Sequence, residues 1–535
     1  MSARTTGGQA VVQSLSAHGI QVLFGLPGIQ CDWLYNALFD LAPRIRVIHT
    51  RHEQGAGYMA LGSALASGGV AVCNVVPGPG LLNAGAALAT AYALGARVLF
   101  LVGQIPLGQI GGGRGALHET PDQPGLLRSL TKLTTRIEHP SEAPFKIAEA
   151  VMHLQHGRPR PVAIEVPMDV LAQEAPVDLG IPRLESPSTP LDSDAIDAAA
   201  RLLGAAKSPM IFVGAGALDV SPLVLQLAEL LQAPVVAYRT GRGILDSRHP
   251  LSCVLPEGRM LWPEVDVLLA LGSSARSALE GWGGLNGRKL VRVDIDPSVH
   301  KRYAQPTVGI VARLEEALPQ LLSEIPRYAV ARPSRAAEMN LVHATWTERS
   351  RVLEPQIGFL RAIRTALGED GIFVDELTQV GFASRIVMPV HRPRTFISTG
   401  YMGTLGYGFP TALGAKVAFP ERRVLSVTGD GGFLFAASEL ATAVQHRINC
   451  VTVLFNNGRY GNVHQMQREV YGGRVLASEL VNPDFERFVT SFGAAYQRAQ
   501  DAPQLRHALE VAFAAGQPCL IEVPVGDMVS VDRFR

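Results

Sequence analysis

The amino-acid sequence predicts an α/β protein made of three consecutive, doubly wound parallel-sheet domains. Short apolar runs of strand length alternate with helical segments along most of the chain, a pattern typical of parallel sheets buried on both faces. A length of 535 residues accommodates about three domains of ordinary size. Residues 172–191, rich in proline and polar residues, and the more charged residues 326–350 are the predicted connections. The predicted domains are 1–172, 190–327 and 351–535.

The first domain is predicted to alternate strands and helices from residue 9 onward. The fully apolar run 98–102 is typical of a central parallel strand. Residues 104–126 form a long glycine-rich segment, and loops of this length are usually functional or mobile. The predicted strands are 22–25, 45–48, 70–76, 98–102 and 162–166, and the predicted helices are 9–17, 33–39, 52–66 and 81–94.

The second and third domains repeat this alternation. The second is predicted to contain helices 192–205 and 223–231 and strands 210–213, 235–238, 265–271 and 290–295. The third is predicted to open with helix 357–367 and strand 372–374 and to end with strand 520–523.

Residues 424–457 predict a strand–helix–strand unit with polar residues at both strand ends. In a parallel sheet these ends lie at one edge, where open α/β sheets bind ligands. The carboxylate of Asp430 and the side-chain carbonyl of Asn457 suit Mg²⁺ or Ca²⁺ completed by phosphate oxygens and water. Gly431 and Gly432 leave backbone N–H groups bare at the start of the helix, where a diphosphate would be held. Each motif taken singly is also common in ordinary turns.

Composition argues against several classes of function. A formal net charge of +1, with no basic stripe, argues against nucleic-acid binding and a membrane-surface role. The five cysteines are scattered and form no CxxC motif, which favours buried thiols in a reducing compartment. No run reaches membrane-spanning length, and residues 1–20 lack the apolar core of a signal peptide. We therefore expect a soluble, cytoplasmic protein.

The Gly-Asp-Gly and Asn-Asn motifs, with 24 residues between Gly431 and Asn456, resemble the signature of thiamine diphosphate (ThDP) enzymes. The resemblance covers almost the whole chain and is strongest at 22–103, 157–170 and 398–471, where the acetolactate synthase-like branch is the nearest match. It implies a pyrimidine-binding first domain, a central domain, and a last domain that binds the diphosphate and Mg²⁺.

The resemblance assigns roles to three residues of the first domain. Glu53, in the stretch His-Glu-Gln-Gly-Ala-Gly, matches the catalytic glutamate that protonates the aminopyrimidine ring, although it is also an ordinary helix-start glutamate. Pro27 matches a cofactor-side turn. His118 lies where acetolactate synthases carry glutamine and where related decarboxylases have nearby histidines. It could shuttle protons, and the alternative is an exposed loop histidine.

In the last domain the resemblance makes Leu405 the bulky residue that bends the cofactor and the Gly403 carbonyl an acceptor from the aminopyrimidine. The run 403–408 is otherwise a glycine-rich turn before a helix. The metal ligands implied are the side chains of Asp430 and Asn457 and the backbone carbonyl of Arg459. The resemblance further implies a homodimer or homotetramer whose active sites combine the Glu53 domain of one subunit with the Asp430 domain of its partner.

Two positions depart from true acetolactate synthases. Met466 stands where those enzymes have a tryptophan that selects the second 2-keto acid. Ala278 stands where they have an arginine for the acceptor carboxylate, although Arg276 lies two positions away. Losing a polar contact strongly changes which substrate a pocket accepts, so we expect a different acceptor.

The central domain raises the question of a flavin. Residues 213–216, 241–243 and 294–297 resemble the places that contact FAD in the family, but a lone Gly-x-Gly is a weak signal. The segment after residue 250 is shorter than in flavin-binding members. FAD, a CoA-like nucleotide or no nucleotide all stay open.

The sequence thus predicts a ThDP- and Mg²⁺-dependent lyase or carboligase that decarboxylates a 2-keto acid through an enamine, then protonates it or joins it to an acceptor carbonyl. Three alternatives are a ThDP-dependent lyase or hydrolase of 2-hydroxyacyl-CoA or cyclic diketones, a nucleotide-dependent oxidoreductase, and a non-catalytic ThDP-binding protein.

Overall fold

The computed structural model describes residues 3–42, 44–182, 184 and 190–534 and has one six-stranded parallel sheet in each third of the chain. The prediction of three α/β domains is therefore confirmed. In each sheet the chain starts at an interior strand, builds to one edge and then continues on the other side of that first strand, and the crevice at this switch point is where such sheets bind ligands. The switch points lie between β2 and β4, between β9 and β12, and between β15 and β17, whose bounds follow.

The N-terminal sheet has the order β3-β2-β4-β5-β7-β6, and a separate antiparallel pair joins β1 and β8. Its strands are β1 Ala3–Thr6, β2 Val22–Gly25, β3 Arg46–His49, β4 Ala71–Val75, β5 Val98–Gln104, β6 Leu133–Arg136, β7 Val162–Pro167 and β8 Glu174–Val177. Its helices are α1 Gly7–Ala17, α2 Asp32–Asp40, α3 Glu53–Ser67, α4 Pro79–Leu94, α5 Gln123–Arg128, α6 Ala143–Gln155 and α7 Met168–Ala172.

The central sheet has the order β11-β10-β9-β12-β13-β14 and an apolar core of its own. Its elements are α8 Ser193–Ala205, β9 Pro209–Val213, α9 Ser221–Leu231, β10 Val235–Ala237, β11 Ser252–Val254, α10 Leu255–Leu261, β12 Val267–Leu271, β13 Lys289–Asp294, β14 Val308–Val311 and α11 Leu314–Glu324.

The C-terminal sheet has the order β16-β15-β17-β18-β20-β19. Its strands are β15 Ile372–Val374, β16 Phe396–Ile397, β17 Val424–Gly429, β18 Val451–Asn456, β19 Ala495–Arg498 and β20 Cys519–Pro524. Its helices are α12 Ala336–Ser350, α13 Gln356–Leu367, α14 Gln379–Val387, α15 Gly408–Ala418, α16 Asp430–Leu434, α17 Glu439–Gln445, α18 Gly461–Glu469, α19 Phe485–Ser491 and α20 Ala502–Ala515.

The N- and C-terminal domains share one apolar core, because α3 packs directly on α15. Two glycines allow the close approach: a Cβ at Gly62 would overlap the Thr411 carbonyl oxygen, and a Cβ at Gly414 would overlap the Met59 carbonyl oxygen. This contact fixes the position of Glu53, the first residue of α3, relative to the C-terminal sheet.

Three segments differ from the sequence-based expectation. Residues 174–177, expected as linker, form β8 because they pair with β1; of that linker, residues 183 and 185–189 lie outside the described residues. Residues 336–350, expected as a connection, form α12 because Met339, Val342 and Trp346 recur at helical spacing and are buried. The helix expected after Asp430 is split into α16 and α17.

All five cysteines are buried free thiols, as expected. Among the described residues no helix combines the length and the apolarity needed to cross a bilayer.

Candidate active site

The C-terminal sheet has a cavity of about 350 Å³ at its switch point. β17 and β18 pair in register from Leu425–Val451 to Gly429–Phe455, so Asp430 and Asn457 follow at the same edge. Both residues line this cavity. Seven of the residues expected to bind cofactor and metal line it together: Gly403, Leu405, Asp430, Gly431, Gly432, Asn457 and Arg459.

The adjacent residues Asn456 and Asn457 make different contacts. Asn456 accepts from the Gly458 N–H at 3.1 Å and donates to the Glu522 carboxylate at 2.7 Å, so it holds the turn after β18. Asn482 donates from one amide nitrogen to Asp430 at 2.7 Å and to Asn456 at 3.1 Å. Asn457 is left to face the cavity.

Glu376 lies across the switch point from Asp430, two residues after β15, and also lines the cavity. Its carboxylate accepts from the N–H of Gly406 at 2.7 Å and of Gly408 at 3.3 Å. Burial raises the pKa of Glu376 to about 7, and hydrogen bonds from Thr428, Gly406 and Gly408 partly oppose that shift. Glu376 therefore ties the glycine-rich segment that carries Gly403 and Leu405 to the end of the sheet.

The two positions after Asp430 in the first turn of α16 have little room for side chains. A Cβ at Gly432 would lie 2.5 Å from a Glu376 carboxylate oxygen, and a Cβ at Gly431 would lie 2.6 Å from the Tyr460 ring. A side chain at either position would displace Glu376 or Tyr460. Backbone N–H groups at a helix start without side chains are suited to hold phosphate oxygens.

The oxygen donors at this edge fit a hard divalent cation. Those that the resemblance assigns to the metal are one carboxylate, one amide carbonyl and one backbone carbonyl, from Asp430, Asn457 and Arg459, and the carboxylates of Glu376 and Asp527 also line the cavity. In the part of the chain that the structure describes, no group of three or more His, Cys, Asp or Glu side chains could hold a metal ion. A cation here would need further oxygens from a phosphate ligand and water.

Glu53 lies at the N-terminal sheet's carboxyl edge, where His52 caps α3 through the Gln54 N–H. One oxygen of its half-buried carboxylate accepts from Asn83 at 3.0 Å. Buried Glu439 of the C-terminal domain accepts from the N–H groups of Arg51 (3.2 Å) and His52 (3.0 Å). Glu439 thereby fixes the entry to α3 and with it the position of Glu53.

His118 lies beside the first turn of α4, as Glu53 does. The His118 backbone packs on Gly78, while the Glu53 carboxylate approaches Gly80. The His118 ring contacts Gln30 at 3.1 Å, and its φ of 69° is an unusual backbone conformation for a histidine. Pro27 is exposed, two residues after β2, at the same edge. The structure thus brings Glu53, His118 and Pro27 to one edge of the N-terminal sheet.

Within one chain, the predicted site residues of the N-terminal domain and those of the C-terminal domain do not line a common cavity. Among the described residues, the lining of the C-terminal cavity includes none from the N-terminal domain, so Glu53, His118 and Pro27 lie outside it.

A second cavity, of about 1190 Å³, opens at the switch point of the central sheet. Gly214, Gly216 and Asp294, from two of the three flavin-like motifs, lie in its wall, whereas residues 241–243 of the third motif do not line it. Burial raises the pKa of Asp294. The wall also carries several arginines from all three domains: Arg97, Arg158, Arg160, Arg239, Arg276, Arg302, Arg313 and Arg394.

The positions that depart from acetolactate synthases are not part of the smaller cavity. Met466 is 44% exposed on α18, whereas its neighbour Gln465 lines the cavity. Ala278 is buried in the central core, and Arg276 pairs with Glu280 at 2.8 Å beside the larger cavity.

Sequence reasoning missed four residues of these sites: Gln30, Asn83, Glu376 and Asn482. Glu376 was predictable as a site residue because it follows an apolar strand, as Asp430 does. Asn482 was not predictable from the sequence, because it lies in an irregular segment 52 residues from Asp430.

The chain is similar to known proteins along nearly all of its length. The chain matches three family models described as thiamine pyrophosphate enzyme: the N-terminal TPP binding domain over residues 5–126, the central domain over 196–321 and the C-terminal TPP binding domain over 378–523. A Pseudomonas aeruginosa protein named probable 2-ketoarginine decarboxylase is 34% identical, over 97% of this chain and 94% of its own length. A probable acetolactate synthase large subunit of Methanocaldococcus jannaschii is 31% identical (97% and 92%). The acetolactate synthase isozyme 1 large subunit of Escherichia coli is 30% identical (98% and 94%).

Proposed function

The chain belongs to the thiamine pyrophosphate enzyme family, in its acetolactate synthase-like branch, as a ThDP-dependent keto acid decarboxylase or carboligase, and from this premise we propose that Mg²⁺ anchors its cofactor and that each active site forms between two subunits. The observation that carries the proposal is that Asp430 and Asn457 line one cavity, which no described residue of the N-terminal domain enters.

The C-terminal cavity would hold the diphosphate and the cation. The bare first turn of α16 offers N–H groups to the phosphate oxygens, and Asp430, Asn457 and the Arg459 carbonyl offer oxygens to Mg²⁺. Leu405 and the Gly403 carbonyl would contact the organic part of the cofactor. When bound, ThDP supplies the carbanion that adds to the keto group and the electron sink for decarboxylation.

Glu53 would supply the proton that activates the aminopyrimidine. Its carboxylate keeps one partner, Asn83, which leaves the other oxygen for a ligand. Because Glu53 does not line the cavity of its own chain, the Glu53 of a second subunit would complete the site. His118, at the same edge as Glu53, would exchange a proton with the substrate or product.

The substrate would be a 2-keto acid. The name of the Pseudomonas aeruginosa relative adds 2-ketoarginine to the candidate substrates, and those of the other relatives add acetolactate to the candidate products. Met466 and Ala278 lack the side chains that acetolactate synthases use for the acceptor, so we propose that acetolactate is not the main product. The assay is incubation of the ThDP- and Mg²⁺-loaded enzyme with pyruvate, 2-ketoarginine, benzoylformate, glyoxylate and branched keto acids, with products identified by mass. Absence of CO₂ release from every 2-keto acid would overturn the proposal.

Mixing two inactive variants tests the shared site. Glu53→Gln and Asp430→Asn should each abolish turnover. Co-expressed in equal amounts, they should restore about a quarter of the wild-type activity, because half of the dimers are mixed and each mixed dimer has one intact site. A site built within one chain would give no restoration.

The central cavity is where a nucleotide would bind. The Nε atoms of Arg97, Arg160 and Arg239 are buried there without a hydrogen-bond partner among the described residues. Arginines bind diphosphates well, so FAD and a CoA-type nucleotide are both candidates. The visible absorbance of the purified protein distinguishes them, since only the flavin absorbs there.

A further inference from the structure

Gln30 lies against the loop that carries His118. It is 2% exposed, in the short turn Ile29–Cys31 that follows Pro27. Its amide nitrogen donates to the Leu117 carbonyl oxygen at 3.0 Å, and its amide oxygen lies 3.1 Å from His118 Nδ1. One buried side chain therefore contacts both the backbone and the ring of the loop.

These two contacts determine which ring nitrogen of His118 carries the hydrogen. A backbone carbonyl only accepts hydrogen bonds, so the NH₂ group of Gln30 must face Leu117. Its oxygen must then face His118 Nδ1, and an amide oxygen only accepts as well. The hydrogen of that bond can come only from Nδ1, which leaves Nε2 of the neutral ring with a free lone pair.

We infer that Gln30 is a positioning residue that holds His118 in the Nδ1–H tautomer and so makes Nε2 the atom that exchanges protons. The inference rests on the proposed proton-transfer role of His118. Nε2 would take a proton from a substrate hydroxyl and return it to a carbon or oxygen of the product. Nδ1 keeps its hydrogen bond to Gln30 throughout, so the ring does not turn.

The loop is anchored just before His118, where Gln30 contacts Leu117, and again after it, at Gln123. Gln123, 1% exposed, donates to the Glu165 carboxylate at 2.9 Å and to the Gly103 carbonyl at 3.1 Å. It also accepts from the Gly78 N–H at 3.1 Å. These bonds hold the chain against α4, where His118 adopts its positive φ, so the tautomer is set within a fixed backbone.

Besides the buried Cys31 thiol next to Gln30, the ionisable groups on the elements packed around His118 are Glu53 at the start of α3 and Arg114, Glu119 and Asp122 on the loop. The Glu119 carboxylate accepts from the N–H groups of Gly113 and Ala116 and so is held against the loop backbone. Asp122 caps α5 through the Gly125 N–H at 2.8 Å. Of the four, Glu53 and Arg114 have no such contact with the loop backbone.

The first test reads the tautomer directly. Long-range proton–nitrogen NMR on the cofactor-free protein labelled with ¹⁵N-histidine, with the His118 signal identified by its loss in His118→Gln, should show hydrogen on Nδ1. Gln30→Met is close in size but accepts no hydrogen bond, so it should shift the signal toward the Nε2–H form. Gln21→Met, at an exposed glutamine of the same domain, should leave it unchanged. Hydrogen on Nε2 in the wild type would overturn the inference.

The second test uses the pH profile of kcat. Gln30→Glu places a carboxylate against Nδ1–H and should move the His118-dependent limb toward higher pH by about one unit, because an opposite charge favours the protonated ring. Gln30→Met should lower kcat by up to the ~10²-fold that a positioned acid–base group contributes. An unmoved limb in Gln30→Glu would contradict the role of Gln30. If His118→Gln itself has no effect on turnover, the proposed role of His118 fails, while the NMR result still decides the tautomer.

Discussion

Asn482 donates a hydrogen bond to the Asp430 carboxylate at 2.7 Å and thereby orients one of the acidic side chains of the cavity. The same amide nitrogen also donates to Asn456 at 3.1 Å, so Asn482 joins the ends of β17 and β18. Asp430 is 1% exposed, and a buried carboxylate without a donor would turn or take up a proton. The position of the oxygen that we propose faces the metal therefore depends on a residue that is not itself a proposed ligand.

Replacing Asn482 with leucine should weaken Mg²⁺ binding about 10–100-fold, the usual cost of losing a partner of a metal ligand. The measurement is the Mg²⁺ concentration for half-maximal turnover after chelation of the purified enzyme. Asn340→Leu, at an exposed position on α12, is the matched control and should leave that concentration unchanged. Equal Mg²⁺ requirements in the two variants would contradict the role of Asn482.

Glu376 should make the stability of the cofactor-free protein depend on pH. Its pKa rises from 4.5 to about 7 on folding because the carboxyl group is buried. The folded state thus binds more protons than the unfolded state in that range, and wild-type stability falls as pH rises through it. The maximum size of the effect is about 3 kcal/mol.

Glu376→Gln removes this proton, so the stability of the variant relative to wild type should increase from about pH 4.5 to 7 and then level off. Any cost in stability of placing the amide against Gly406 and Gly408 does not vary with pH. The slope of the relative stability against pH therefore reports the ionisation of Glu376. Thermal unfolding midpoints across this range provide the measurement, with exposed Glu421→Gln as the control. Parallel curves for wild type and Glu376→Gln would show that the carboxyl group stays ionised.

Much of the fold was predictable because parallel strands buried on both faces are nearly continuous apolar runs. The rule that open α/β sheets bind ligands at the carboxyl ends of their strands also placed Asp430 and Asn457 at one edge of the sheet from local sequence alone. It did not reveal β1 and β8, since their pairing joins segments about 170 residues apart and neither is strongly apolar. The role of Gln30 was equally hidden, because its contacts with residues 117 and 118 arise only when the loop folds back on the sheet edge.

His446 should weaken the contact between the N- and C-terminal domains in acid. Its Nε2 lies 3.2 Å from His49 Nδ1, and Arg46 donates to its backbone carbonyl at 2.9 Å. Burial, together with the neighbouring His49, Arg46 and Arg51, lowers the pKa of His446 to about 4. The unfolded state therefore binds a proton first, and stability is lost as pH falls from about 6.5 toward 4.

His446→Gln cannot take up that proton, so its stability relative to wild type should rise as pH is lowered through the same range. Thermal midpoints at several pH values below 7 are the measurement. His507→Gln, at an exposed histidine of α20, should follow the wild-type curve. If His446→Gln also follows the wild-type curve, the two histidines do not determine the acid response.

The crossing of α3 and α15 should tolerate no added methyl group. Gly62→Ala would push a Cβ into the Thr411 carbonyl, and overpacking of this kind costs about 1–3 kcal/mol or more. Gly85→Ala, in the middle of α4, meets nothing within 4 Å and should stabilise the protein by about 0.5–1 kcal/mol through helix propensity. Denaturant unfolding of the two variants gives both values. Because α3 begins at Glu53 and α15 follows the segment with Leu405, Gly62→Ala should also lower kcat; destabilisation with kcat unchanged would show that the crossing does not position the site.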